Sequence, residues 1–86
     1  MADLKTALAL LEAGDWQAAH LIVQEDPSAL ASWAHGIVHL MEGDLANAGY
    51  WYRRADRARA EPDDITAEIA ALKQAMGSDP GARPSG

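Results

Sequence analysis

Three histidines are the side chains of this sequence best suited to chemistry. His35 and His39 are four residues apart, which puts them on one face of a helix, and Glu42 continues that face one turn later. His20 lies in a separate apolar segment that must pack beside theirs. Imidazoles converging from two helices, with a carboxylate close by, can hold zinc or another divalent ion and leave one coordination position for water. The same residues also fit a plain polar cluster in an apolar interface, each ring satisfied by a carbonyl, a hydroxyl or a carboxylate. Both readings predict titration near neutral pH, since an ordinary imidazole has a pKa of about 6.5. The metalloprotease pattern is absent: it needs Glu directly after the first His, and Gly36 stands there.

A second group of side chains suits recognition rather than catalysis. Tyr50, Trp51 and Tyr52 are consecutive, and successive helical residues point about 100° apart, so they cannot share one buried face. Ala48, Trp51, Tyr52, Ala55 and Ala58 make an inward stripe. Tyr50 is left with Arg53 and Arg57 at spacings of three and four, with Trp51 alongside. Such a stripe fits an acidic peptide, a carboxylate or a second subunit. The alternative is a solvated face whose arginines offset the helix dipole. No Gly-rich phosphate loop and no G-x-S-x-G motif occurs. Ser32 precedes His35 by three residues but has no oxyanion hole to work with.

Helices must position all of these groups. Leu11-Glu12-Ala13-Gly14-Asp15 recurs as Leu40-Met41-Glu42-Gly43-Asp44, an offset of 29 residues. Each copy reads as an apolar helix end, a left-handed glycine, and an aspartate that caps the next helix. The first helix starts at Asp3 and carries Leu4, Ala7, Leu8 and Leu11. The second carries Trp16, Ala19, Leu21, Ile22 and Val23. Asp26 and Pro27 serve as cap and first residue of the third, which runs to Gly43. The fourth is expected to reach about Arg59. Glu61-Pro62 opens a fifth with a one-sided stripe of Ile65, Ile69, Leu72 and Met76. The expected architecture is all-α: two antiparallel hairpins and a C-terminal capping helix, about five helices. It forms one domain over 1–76, with a flexible tail over 77–86.

The second hairpin resembles a tetratricopeptide (TPR) or Sel1-like repeat through Gly36, Gly43, Ala48, Tyr52 and Ala55. The first resembles it through Ala7, Gly14, Ala19 and Val23. The resemblance implies close helix axes at Gly36 and Ala48, Tyr52 filling the space between them, and a protein-interaction role. A narrower likeness joins His20, His35, His39, Glu42-Gly43-Asp44, Asn47-Ala48 and Tyr50-Trp51-Tyr52-Arg53-Arg54 to a group of small bacterial proteins of uncharacterised function. That likeness implies a shared fold and no activity. Two hairpins leave open ends. The fifth helix is expected to cover the second hairpin, whereas the first helix has no such cover, so the chain is either a compact monomer or a symmetric dimer.

Composition narrows the partners. The net charge of −6 argues against nucleic acid and anionic membranes. With no cysteine, disulfides, thiolate sites and cysteine nucleophiles are excluded. No apolar run approaches the roughly 20 residues of a membrane span and no leader pattern opens the chain, so a cytoplasmic location is expected. Two functions follow. The first is a non-enzymatic interaction module that binds a protein, a peptide or itself, with Tyr50, Trp51, Arg53 and Arg57 as contacts and no cofactor. The second is a metal-binding protein or metal-dependent enzyme that uses His20, His35, His39 and Glu42 on a divalent ion such as zinc. A stand-alone structural domain remains a third.

Overall fold

The structure, a computed structural model, describes residues 3–77. Five α-helices follow in order: α1 (Leu4–Glu12), α2 (Trp16–Val23), α3 (Ala29–Glu42), α4 (Leu45–Arg54) and α5 (Ile65–Gly77), with a 3-10 turn at Pro62–Asp64 before α5. Adjacent helices pack antiparallel, and no strand occurs among the described residues. No described helix is long and apolar enough to cross a membrane. Gly77 closes α5, and the rest of the expected tail lies outside the described residues.

The duplicated corner forms twice in the same way. Gly14 and Gly43 take φ of +82° and +89°, a region open to glycine at little steric cost. The amide of Asp15 reaches back to the Leu10 carbonyl at 2.8 Å, and that of Asp44 to the His39 carbonyl at 2.9 Å. Each aspartate then caps the following helix, accepting from the Ala18 and Asn47 amides at 3.2 Å. Two orphan ends are satisfied by five residues, and the chain reverses.

Helix α3 is central. Every residue from Ala31 to Leu40 is buried, so α3 has no solvent face over that stretch. Ala31, Ser32, Ala34 and Gly36 keep its girth small enough for neighbours on all sides. A close approach occurs at Gly36, where the Tyr52 ring of α4 lies against the helix: a Cβ built there would meet Tyr52 Cδ1, and Cε1 at 2.7 Å.

Three local expectations are corrected. Ser28, not Asp26, caps α3: its Oγ accepts from the Ala31 amide at 3.1 Å, while Asp26 Oδ1 accepts from the Ser28 amide at 2.9 Å and turns the chain into the cap. Pro27 therefore precedes the helix. Helix α4 stops at Arg54 rather than near Arg59. Asp56 adopts φ +60° and the Arg57 amide reaches the Tyr52 carbonyl at 2.9 Å, which ends the helix. The physical reason is tertiary: Arg57 leaves the helix to lie on the Trp33 ring, 3.5 Å from its centroid, and residues 57–61 run non-helically toward the start of α5. Finally, α1 does not lack cover. Helix α5 packs along both α3 and α1, with Lys73 Nζ 3.7 Å from Glu12 Oε2.

Helix α5 is tied down by one carboxylate. Glu68 Oε1 accepts from Trp33 Nε1 at 3.0 Å and from the Tyr52 hydroxyl at 2.7 Å. Burial, and then the Glu68 carboxylate, push the Tyr52 phenol above its ordinary range, which keeps it a proton donor. The close pass at Gly36 yields a direct prediction. Gly36→Ala forces its methyl into the Tyr52 ring and should destabilise the fold by about 1–3 kcal/mol, read as a lower urea midpoint at unchanged slope.

Candidate metal centre

His20 enters from α2, and His35 and His39 from α3. The two α3 rings stack with centroids 5.0 Å apart and 20° between planes, as helical neighbours four apart should. His20 meets both edge-on, with centroids at 4.6 Å from His35 and 5.4 Å from His39. One ligand atom from each ring falls within 4.8 Å of the others. Tetrahedral metal–nitrogen bonds of about 2.0–2.1 Å need the nitrogens roughly 3.3 Å apart, a separation that lies inside that bound.

Each ring has a distinct setting. His35 is the deepest, 3% exposed, and Trp51 of α4 stacks on it with centroids 3.8 Å apart and planes 10° apart. Its Nδ1 is buried without a hydrogen-bond partner. Burial first, then the charges of His20 and His39, lower its pKa to about 3, so His35 is a neutral imidazole at ordinary pH. The expected titration near neutrality is therefore corrected for His35: an apolar wall and two like-charging neighbours disfavour its protonated form. His39 is 8% exposed, and its Nδ1 lies 2.8 Å from Glu42 Oε1. A carboxylate only accepts, so Nδ1 donates in this bond, which leaves Nε2 as the ring nitrogen available to a ligand. His20 is partly exposed and lines an open cleft of about 170 Å³ with Trp16, Gln17, His39 and Glu42.

The structure thus brings His20, His35 and His39 together and puts Glu42 behind His39, on the ring nitrogen that it orients. Among the described residues His39, Glu42 and Asp44 also approach one another, but Asp44 is engaged as the α4 cap, with Asn47 Nδ2 donating to it at 2.7 Å. The other candidate group is dispersed. Trp51 faces His35, and Arg57 lies on Trp33 beyond the end of α4, so Arg57 does not continue the Tyr50–Arg53 stripe. Tyr50 stays 44% exposed, and its partner is Arg54, whose Nη1 donates to the hydroxyl at 3.4 Å.

Sequence reasoning missed the cleft residues Trp16 and Gln17, the Trp51–His35 stack and the Glu68 tie. Glu68 had a signal: it sits three after Ile65 and four before Leu72, a lone acid on the apolar face of α5. Trp51 was legible as inward-facing, though not its partner.

The His35 shift gives a pH prediction for the metal-free protein. Below pH 6.5 the unfolded chain binds a proton at this residue that the folded chain refuses until about pH 3. Stability should therefore fall as pH drops from 7 to 5, with His35 adding at most about 1.4 kcal/mol per pH unit. Urea titrations in chelator across that window should show the slope, and His35→Leu should flatten it. The window lies above the range in which the Asp3 and Asp44 caps protonate, since hydrogen bonds from Thr6 and Asn47 hold those carboxyls below their ordinary value. No protein-family model, curated protein or solved structure matches this chain.

Proposed function

We propose that this chain binds one divalent transition-metal ion, zinc by preference, through His20, His35 and His39, with Glu42 fixing the tautomer and orientation of His39. The observation that carries the reading is the convergence of three ring nitrogens from two helices to within 4.8 Å. A ligand imidazole must be neutral, and the burial that keeps His35 unprotonated meets that need without competition from solvent protons. The His39–Glu42 contact is the arrangement that commonly backs a metal-bound histidine. An all-imidazole set suits zinc, copper or nickel rather than magnesium or calcium, and a set open to tetrahedral closure favours zinc.

The interaction-module reading, with a protein, a peptide or a second copy as partner, has narrower support. Of its four contact residues, Trp51 is committed to His35 and Arg57 to Trp33, which leaves Tyr50 and Arg53 on α4.

Metal analysis and titration calorimetry on untagged, chelator-stripped protein test the proposal. One zinc per chain should bind, and at a free concentration about 100 times Kd it should stabilise the fold by about 2.7 kcal/mol. His20→Gln and His39→Gln should each abolish stoichiometric binding, and Glu42→Gln should weaken it by roughly 10–100-fold. Failure of the wild-type protein to bind zinc, copper or nickel would sink the reading.

A further inference from the structure

We infer that the metal held by His20, His35 and His39 keeps its fourth coordination position open to the cleft beside Trp16 and Gln17, where a water exchanges for a small monodentate anion. The inference rests on the three-histidine reading and adds what that site takes.

Position argues first. His20 and His39 are walls of the cleft, while His35 lies beneath at 3% exposure and does not line it. An ion bound to all three therefore has His35 behind it and the two wall rings flanking it. The remaining tetrahedral vertex points into the cleft.

The nearby carboxylates do not fill that vertex. Glu42 is bonded to His39 Nδ1, on the side of the ring away from the Nε2 lone pair. Asp44 is held by the Asn47 amide and side chain as a helix cap. Among the described residues the group of converging ligand atoms around His20 and His35 contains the three histidines and no fourth member.

Size and charge select the ligand. The open cleft of about 170 Å³ between the Trp16, Gln17, His20, His39 and Glu42 side chains has room for a small anion at the ion. Three neutral imidazole ligands leave the ion's double charge largely uncompensated, unlike a thiolate set; Glu42, held on His39, is the one acidic side chain among the cleft walls. An anionic oxygen or nitrogen donor at the fourth position is thus favoured over a neutral one. Gln17, on the rim, offers an amide donor to the bound anion's distal atom, and the Trp16 ring limits its bulk.

Cobalt(II) substitution with azide as the probe anion tests this. The wild-type protein should take up one cobalt with a visible d–d band, and azide should shift that band saturably while metal analysis shows the cobalt retained. Gln17→Trp, a change at an exposed residue, should fill the cleft and weaken azide by at least tenfold with cobalt affinity unchanged. A cobalt band that azide leaves unchanged in the wild-type protein overturns the open position while leaving the three-histidine site standing. Full azide affinity in a folded Gln17→Trp protein overturns its placement in this cleft. Absence of any cobalt band fails the metal reading itself, a separate result.

Discussion

The structure hangs on enclosing one helix from every side. Helix α3 is buried continuously from Ala31 to Leu40, and a rod of about 10 Å diameter can be surrounded by four others only if its surface is mostly small. Ala31, Ser32, Ala34 and Gly36 meet that condition. Gly36 is the limiting case, since Tyr52 occupies the volume where any side chain would begin. Full enclosure also removes water as a partner for the polar groups of α3. Trp33, His35 and His39 must each find a protein group, or another ligand, inside the bundle.

Two polar centres result, on different sides of α3. Trp33 and His35 are two residues apart, so their side chains leave the helix about 200° apart. Trp33 joins Tyr52, Glu68 and Arg57, and His35 joins His20, His39 and Trp51. The consecutive aromatics of α4 match this division. Tyr52 serves the Glu68 side, Trp51 serves the histidine side, and Tyr50 faces solvent. The Glu68 centre is closed, with both donors on one carboxylate oxygen. The histidine centre is not, because His35 Nδ1 lacks a partner and the cluster borders a cleft.

That difference sets the histidine cluster apart from the Glu68 centre, and the metal proposal rests on it. A buried imidazole with an unpaired nitrogen costs the fold about 1–3 kcal/mol, and burial beside His20 and His39 disfavours the charged form of His35. Both costs fall on the metal-free state. Under the proposed reading a bound divalent ion would offset them, since it takes up an imidazole lone pair and needs the neutral His35 that burial enforces.

Much of this was legible from residues close together in the chain. The two Gly-Asp corners, the all-α hairpins and the four-residue spacing of His35 and His39 depend on interactions within about five positions, which the sequence displays directly. That His20 would join them needed only the rule that consecutive helices of a hairpin array touch. By itself, then, the sequence determined the corners, the helical character and the histidine face. Tertiary structure alone decided where α4 ends, because Arg57 is drawn off by Trp33, which belongs to another helix. It decided that α5 lies across α1 as well as α3, and that Glu68 bonds Trp33 across a separation of 35 residues. It also decided that His35 stays uncharged, since that shift comes from burial beneath groups of other helices. A local pattern can state what a segment prefers, but burial and long-range pairing are properties of the packed whole.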